Sequence, residues 1–201
     1  MTFPARPIPE GAILIPENAT LAFKGEIFDV YQWPQEQFDG SIKTFEMIKR
    51  PDTVLIIPVN DDGKLWVIKE EQPGRGIRGM RLPGGRVDVP GKTVFEAAKR
   101  ECEEEIGVRF KEWYYLESIQ PERKIDWLIH IFLAKMPTET VPTRHEVGEK
   151  IEIFQASYEE FLKRGLSSKR IQVFEECATL DELFLKAQPL DERILGTEFV
   201  I

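Results

Sequence analysis

The stretch that decides the fold is residues 84–108, GGRVDVPGKTVFEAAKRECEEEIGV. A proline–glycine pair interrupts it, and Thr93 follows with Glu96 three residues later, the capping-box pattern that begins a helix. Gly107 suits the left-handed position at which helices end. The pattern therefore predicts a helix between Thr93 and Gly107, directly after a glycine-rich turn.

Three glutamates are predicted to lie on one face of this helix. An α-helix turns by about 100° per residue, so Glu101, Glu104 and Glu105 fall within an arc of roughly 100°. Carboxylates this close repel one another unless a cation lies among them, and hard oxygen ligands suit Mg²⁺ or Mn²⁺. Arg100 can hold the acids in place by pairing with Glu104. The alternative is an ordinary solvated, charged helix face.

The stretch resembles the signature of the Nudix hydrolases, G-x5-E-x7-R-E-U-x-E-E-x-G-U, in which U is a bulky apolar residue. Residues 100–108 match every fixed position of its second half, and Gly85 matches the opening glycine. The first half departs twice. One residue is inserted in the loop 86–91, and Lys92 stands where the family usually has its first glutamate. That glutamate is usually supportive, so the resemblance still implies an intact metal site.

The resemblance also implies the ligands of that site. Glu101 and Glu105 would be the principal ligands of Mg²⁺, with Mn²⁺ as the other possible ion, and Glu104 would lie nearby. The backbone carbonyl of Gly84 would add an oxygen, which explains a turn without a side chain in the way. The ions would neutralise a diphosphate and lower the pKa of a bound water.

The general base is expected in an acidic loop that follows the core strands, as the family resemblance implies. Glu149 is the first candidate there and Glu146 the second, although a loop glutamate is as readily a solvated acid. The predicted catalytic set is therefore Glu104, Glu105, Glu149 and Arg100.

Three further side chains are candidates for substrate binding. Arg81 stands where many ADP-ribose hydrolases have a glutamate, and its guanidinium could contact a phosphate instead. Arg50 could reach a phosphate for the same reason, and Phe28 could stack on a base. The plainer interpretations are solvated arginines and a phenylalanine in the core of a small sheet.

Composition limits the other functions. A chain of 201 residues with 42% hydrophobic and 31% charged residues has room for one sizeable core and a small appendage. The net charge of −8 argues against broad binding to nucleic acid, although a bound metal would still admit a small phosphorylated substrate. The two cysteines imply no disulfide framework. With no signal-peptide pattern and no membrane-length apolar run, we expect a cytoplasmic protein without membrane association.

The coarse pattern of elements is mixed. It predicts a small antiparallel sheet before residue 50, a hairpin of strands, a loop, three later strands and two helices. The hairpin strands span 54–59 and 65–68, and the loop spans 74–79. The later strands span 113–119, 127–134 and 151–153, and the helices span 158–163 and 171–186. The resemblance implies an α/β (α+β) fold, namely a Nudix-type α/β/α sandwich with a mixed sheet plus the small N-terminal antiparallel sheet.

The chain most resembles the ADP-ribose pyrophosphatase and nucleotide-sugar hydrolase branch. An N-terminal β segment, the entry strand KRPDTV at 49–54 and the segment GEKIEI at 148–153 carry this similarity. It implies a segment 1–50 that contributes to dimerisation, a hydrolase domain at 51–201 and a homodimer. The implied reaction is metal-dependent hydrolysis of the diphosphate bond in ADP-ribose or a nucleotide-sugar, giving a nucleoside monophosphate and a sugar phosphate.

Two alternatives stay open at this point. One is a Nudix hydrolase for dinucleoside polyphosphates or free nucleotides. The other is a non-catalytic module that binds a nucleotide-sugar and regulates a partner, which the departure at Lys92 favours and the complete second half of the motif opposes.

Overall fold

The protein is a mixed α+β structure, in which the described residues form three sheets and a few short helices. This computed structural model describes residues 5–145, 147–165 and 171–190. In that part of the chain the strands are β1 (Thr20–Phe23), β2 (Asp29–Glu36), β3 (Ile42–Lys49), β4 (Thr53–Pro58), β5 (Leu65–Gln72), β6 (Gly76–Arg81), β7 (Val108–Ile119), β8 (Ile125–Asp126), β9 (Ile129–Thr140), β10 (Lys150–Ala156) and β11 (Gln188–Leu190). The helices are α1 (Val94–Glu101), α2 (Tyr158–Arg164), α3 (Val173–Glu176) and α4 (Leu180–Lys186).

The predicted N-terminal antiparallel sheet is confirmed. β1, β2 and β3 pair in that order, and the short β8 adds to β3 in parallel. Trp33 and Met47 are buried on one face, where the Trp33 ring packs 5.2 Å from that of Phe45. The apolar run 12–15, which precedes β1, forms no strand.

The predicted hairpin of β4 and β5 is wrong. β4 pairs in parallel with β9, in the sheet ordered β11-β7-β9-β4, whereas β5 lies between β10 and β6 in another sheet. A single bridge, Val59 to Leu65, joins the two strands' ends. The reason is burial on both faces, which makes β4 apolar throughout and suits it to a parallel partner.

The mixed sheet lies between two apolar cores, and this confirms the predicted sandwich. Alternate residues of β4 and β9 point to opposite sides, as the two-residue period of a strand requires. Ile57 and Leu133 join the cluster under α2, α3 and α4, whereas Ile56 and Phe132 join the cluster under α1.

Three predicted boundaries change. The expected loop 74–79 contains most of β6. Glycines are unfavourable inside strands, but the hydrogen bonds of β6 with β5 form a strand here nonetheless. The strand expected to end at residue 134 is longer, because β9 continues to Thr140 beside β7. The single helix expected at 171–186 is two, α3 and α4, because Cys177 is extended and Thr179 begins a new capping box.

The N-terminal segment is tied to the core by buried charges. Arg6 binds Asp52 through Nε at 2.6 Å and Asp126 through Nη2 at 2.6 Å. Asp52 also accepts the backbone N–H of Leu128 at 2.9 Å. The carbonyl of Ala5 accepts the N–H of the first residue of α1 at 3.3 Å, so this segment touches the helix that carries the glutamates.

No helix within the described ranges is both long and apolar enough to cross a bilayer.

Candidate active site

The predicted start of α1 is confirmed. The Thr93 hydroxyl accepts the N–H of Glu96 at 3.1 Å, and the Glu96 carboxylate accepts the N–H of Thr93 at 2.9 Å. Lys92, at the position of the family's first glutamate, binds Glu96 at 2.8 Å. The substitution therefore places a cation on the cap and leaves the cap itself intact.

The end of α1 differs from the predicted regular helix. It passes directly into a π-helical turn, Cys102–Ile106, and Gly107 ends that turn at φ 67°. A Cβ at Gly107 would lie 2.5 Å from the carbonyl oxygen of Val141, so a side chain has no room there. The wider turn changes the angular spacing of the three glutamates from the α-helical one, and such turns are frequent at functional sites.

The glycine turn and two of the glutamates meet. The N–H of Gly84 donates to Glu105 Oε2 at 2.7 Å, and a Cβ on Gly85 would lie 2.5 Å from the carboxylate of Glu101. A Cβ on Gly84 would lie 2.1 Å from the carbonyl oxygen of Val54 in β4. Two glycines are therefore required, one by the strand behind the turn and one by the carboxylate in front of it.

Both acids are buried, and burial governs the charge of Glu105. Glu101 and Glu105 are only 7% and 8% exposed. Burial raises the pKa of Glu105 to about 8, opposed by the positive charge of Arg81 and the Gly84 N–H bond, while the charges of Glu101 and Glu149 raise it further. Such a carboxylate stays protonated near neutral pH, and a cation bound beside it would favour loss of the proton.

Arg100 organises the other side of the site. Its Nη1 binds Glu104 at 2.9 Å, which confirms the predicted pair, and its Nη2 binds Glu101 at 2.9 Å. Nη2 also donates to the carbonyl of Arg86 at 2.9 Å and lies 3.6 Å from Asp88. Arg100 thus joins α1, the π-turn and the loop 86–91 that carries the extra residue.

The donor set fits a hard divalent ion in part. Glu101 and Glu105 converge on the Gly84–Gly85 turn, and carboxylate and carbonyl oxygens are the ligands that Mg²⁺ and Mn²⁺ prefer. Glu104 is instead turned to Arg100, and within the described ranges no three side chains of His, Cys, Asp or Glu gather as an ion would need. The predicted ligand set therefore remains a prediction, with Glu101 and Glu105 at its centre.

Arg81 lies at this turn, held by an acid that the sequence did not single out. Its guanidinium pairs with Glu70 on β5, and Nη2 donates to the Gly84 carbonyl at 3.4 Å. Arg78 reaches the same Glu70 oxygen at 3.4 Å. Glu70 was missed because its partner depends on the register between β5 and β6, which no local pattern reveals.

Glu149 lies on the same side of the molecule. Gln72, at the end of β5, donates to its carboxylate at 2.6 Å, and the charge of Glu149 contributes to the raised pKa of Glu105. Glu146 lies outside the described residues. His145 contacts the carbonyl of Glu105 through Nε2 at 3.4 Å.

The remaining two predicted substrate residues meet each other. The Arg50 guanidinium lies over the Phe28 ring at 5.8 Å and over the Trp127 ring at 4.5 Å. Arg50 Nε is buried without a hydrogen-bond partner in the described part of the chain. Burial, followed by the charges of Arg86 and Arg75, lowers the pKa of Arg50. Trp127 was missed, since it stands in a segment read as ordinary strand.

Comparisons with known proteins agree with this architecture. The profile of the NUDIX domain matches residues 49–177, well over half of the chain. An ADP-ribose pyrophosphatase of Bacillus subtilis (strain 168) is 26% identical over 154 residues, which cover 73% of this chain and 82% of that protein. An ADP-ribose pyrophosphatase of Mycobacterium tuberculosis (strain ATCC 25618 / H37Rv) is 29% identical over 55% of this chain and 54% of its own length.

A third relative and a solved structure extend the comparison. The ADP compounds hydrolase NudE of Escherichia coli (strain K12) is 28% identical over 51% of this chain. The match spans about half the length of this relative, as it does for the mycobacterial one. The crystal structure of an ADP compounds hydrolase superposes with a TM-score of 0.58 over 84% of this chain and 89% of its own, at 21% identity, which supports the fold.

Proposed function

Because this chain belongs to the NUDIX family and is a pyrophosphohydrolase, we propose that it hydrolyses the diphosphate bond of ADP-ribose or a nucleotide-sugar, releasing a nucleoside monophosphate and a sugar phosphate. One observation carries the proposal. Two buried carboxylates, Glu101 and Glu105, converge on the Gly84–Gly85 turn inside the stretch that matches the family.

The proposed cofactor is Mg²⁺, with Mn²⁺ as a substitute. Glu101, Glu105 and the carbonyl of Gly84 would hold it, with Glu104 nearby. When bound, such an ion supplies positive charge to the diphosphate oxygens and acidifies a water. The raised pKa of Glu105 supports this assignment, since a buried carboxylate in this state gains from a cation.

The protein's own groups would orient the reaction. Arg100 holds the Glu101 carboxylate, and the Gly84 N–H holds that of Glu105, so neither has to reorganise when substrate arrives. Glu149, fixed by Gln72, would accept the proton of the attacking water. Such positioning and electrostatic stabilisation supply most of the catalysis in phosphoryl chemistry.

Substrate binding is proposed at two places. Arg81, beside the Gly84 carbonyl, would contact a phosphate oxygen. Among the described residues, the buried Nε of Arg50 has no hydrogen-bond partner, and the rings of Phe28 and Trp127 lie against the guanidinium. This suits Arg50 to an anion or to the edge of a base, and Phe28 would stack on that base.

The proposed assembly is a cytoplasmic homodimer that acts on a small nucleotide and binds neither nucleic acid nor membrane. The proposed division is an N-terminal sheet segment, 1–50, and a hydrolase domain, 51–201. Exposed apolar side chains on the N-terminal sheet support a dimer contact there, with Phe23 61% and Ile48 37% exposed.

The proposal is tested by incubating the purified protein and Mg²⁺ with ADP-ribose, other nucleotide-sugars, dinucleoside polyphosphates and free nucleotides, and identifying the products. The proposed function predicts a nucleoside monophosphate and a sugar phosphate from the first two classes. Preferential cleavage of the polyphosphates or free nucleotides would instead establish the other Nudix activity. Tight binding without turnover would establish a regulatory module.

Glu105→Gln tests the ligand assignment. It removes the charge without changing side-chain volume, so kcat should fall at least about a hundredfold while the fold survives. Glu103→Gln is the matched control, because Glu103 lies in the same π-turn but pairs with Arg109 at the surface, and it should change kcat by less than about twofold. Full activity of Glu105→Gln would refute the metal assignment.

Glu149→Gln tests the base. Loss of the proton acceptor should lower kcat by about a hundredfold or more with little change in KM. A kcat at the wild-type level would move the base elsewhere, with Glu146 tested next.

A further inference from the structure

Glu70 is a buried acid that the proposed reaction does not use. Its side chain is only 2% exposed, and its carboxylate accepts both Arg81 and Arg78, two residues of the neighbouring strand β6. A carboxylate this deeply buried is stable only when it is paired, so its position in β5 fixes the guanidinium of Arg81 in return.

The Arg81 guanidinium is fixed at a place where the proposed function needs positive charge. It is 15% exposed and donates to the carbonyl of Gly84, while the N–H of the same residue holds Glu105. The proposed function assigns that carbonyl and that carboxylate to a divalent ion. A guanidinium on the same oxygen therefore competes with an ion for that oxygen and places a positive charge beside the turn that holds Glu105.

We propose that Arg81, positioned by Glu70, is a permanent cation of the site that takes the place of a further divalent ion beside the proposed Mg²⁺. The wild-type protein then binds fewer or weaker ions at the Gly84 turn than its carboxylates alone would accept. This inference rests on the proposed function, since it concerns the same site. Glu70 is a positioning residue in this arrangement, because it acts on the site only through Arg81.

The test is binding of Mn²⁺ alone, without substrate, measured as free Mn²⁺ by electron paramagnetic resonance. The decisive variant is Glu70→Gln with Arg81→Gln, which removes a buried pair and leaves the net charge unchanged. We expect a Kd for Mn²⁺ lower by about tenfold, or one additional bound ion per chain. A Kd within about twofold of wild type with an unchanged number of ions would overturn the inference.

Two single variants complete the experiment. Glu70→Gln leaves the Arg81 charge without its balancing carboxylate and so adds one positive charge beside the Gly84 turn. The Kd for Mn²⁺ should rise, the opposite sign to the double variant; a fall or no change would overturn the role of Arg81 as a cation of the site. Arg78→Gln is the matched control, because it removes the same charge from the same strand and contacts Glu70 without contacting Gly84. Its Kd should stay within about twofold of wild type, and an effect as large as that of the double variant would show a general charge effect and overturn the inference.

Failure of this inference and failure of the proposed function are separable. A wild-type protein that hydrolyses ADP-ribose while the double variant binds Mn²⁺ unchanged overturns the inference alone. The expected shifts in Mn²⁺ binding without hydrolysis of any substrate overturn the proposed function alone. If wild type and double variant both bind no Mn²⁺, no ion has been replaced and the inference is wrong.

Discussion

Among single residues, Glu105 has the environment with the clearest measurable consequence. It is buried in the π-turn, and one backbone N–H, from Gly84, compensates its carboxylate. Burial raises its pKa to about 8 from the ordinary glutamate value of 4.5. Between those values the folded protein holds a proton that the unfolded chain has lost.

The stability of the metal-free protein should therefore fall as pH rises through that window. The folded state binds more protons than the unfolded state, so the free energy of unfolding decreases by about 1.4 kcal/mol per pH unit from this group. Chemical denaturation with a chelator present, at about pH 5.5 and about pH 7.5, measures the difference. Glu105→Gln should flatten the slope, and Mg²⁺ should stabilise wild type more at the higher pH. An equal slope in that variant would contradict the assignment.

Gly85 offers a second prediction at this scale. A Cβ there meets the movable end of Glu101 and not the backbone, so Gly85→Ala should displace the carboxylate and spare the fold. We expect kcat/KM to fall by about tenfold or more with a change in unfolding free energy below about 1 kcal/mol. Gly79→Ala is the control, because nothing lies within 4 Å of its Cβ. Equal activities of the two variants would contradict the contact.

Single-residue predictions from sequence succeeded where the signal is local. The cap at Thr93, the end at Gly107 and the pair Arg100–Glu104 depend on spacing along one helix, and all three are confirmed. The pair Arg81–Glu70 joins β5 and β6, so it depends on the register between these strands, which neither strand's sequence reveals by itself.

Among elements, α1 and its π-turn set the geometry of the acids. The capping boxes at Thr93 and Thr179 are chemically alike, but the one at Thr93 begins the helix that leads to the site, whereas the one at Thr179 begins α4. Comparing variants of the two caps therefore separates the effect of a cap on helix stability from its effect on the position of the glutamates.

Thr93→Ala and Thr179→Ala should each lower the free energy of unfolding by about 1 kcal/mol, since each removes one N-cap hydrogen bond. Only Thr93→Ala should also weaken Mg²⁺-dependent turnover, by about two- to fivefold, through fraying of α1. Thermal unfolding and steady-state kinetics of the two variants measure this. Equal turnover would show that α1 is held by its packing alone.

Element predictions failed where pairing partners are distant in sequence. Strand β4 was recognised, but it pairs with β9 and not with the next strand. An apolar run indicates a buried strand and does not identify the strand that pairs with it. The widened turn after α1 was also missed, since the same residues satisfy an ordinary helical pattern.

For the whole molecule, the exposed face of the N-terminal sheet is the region that bears on assembly. The register aligns Phe23 and Ile48 beside Val30, which makes a continuous apolar patch. The mixed fold class was predictable because the order of strands and helices resembles the Nudix fold, but the assembly state is a surface property.

Phe23→Glu should convert the proposed homodimer to a monomer, because a charge would be buried at the contact. Sedimentation velocity measures the mass in solution. Leu185→Glu is the control, because Leu185 is similarly exposed but lies on α4. Unchanged mass of a dimeric Phe23→Glu protein would place the interface elsewhere, and a monomeric wild type would exclude the homodimer.

The contact of Arg6 with Asp52 and Asp126 has a consequence for proteolysis. Cleavage of the backbone just after Pro9 would release the guanidinium from two buried carboxylates, of which Asp52 keeps the Leu128 N–H and a contact with His130. Because the pKa of Asp52, which these partners and Arg6 lower in the intact chain, would then be lowered less, the nicked enzyme would lose less of its stability in acid than the intact enzyme.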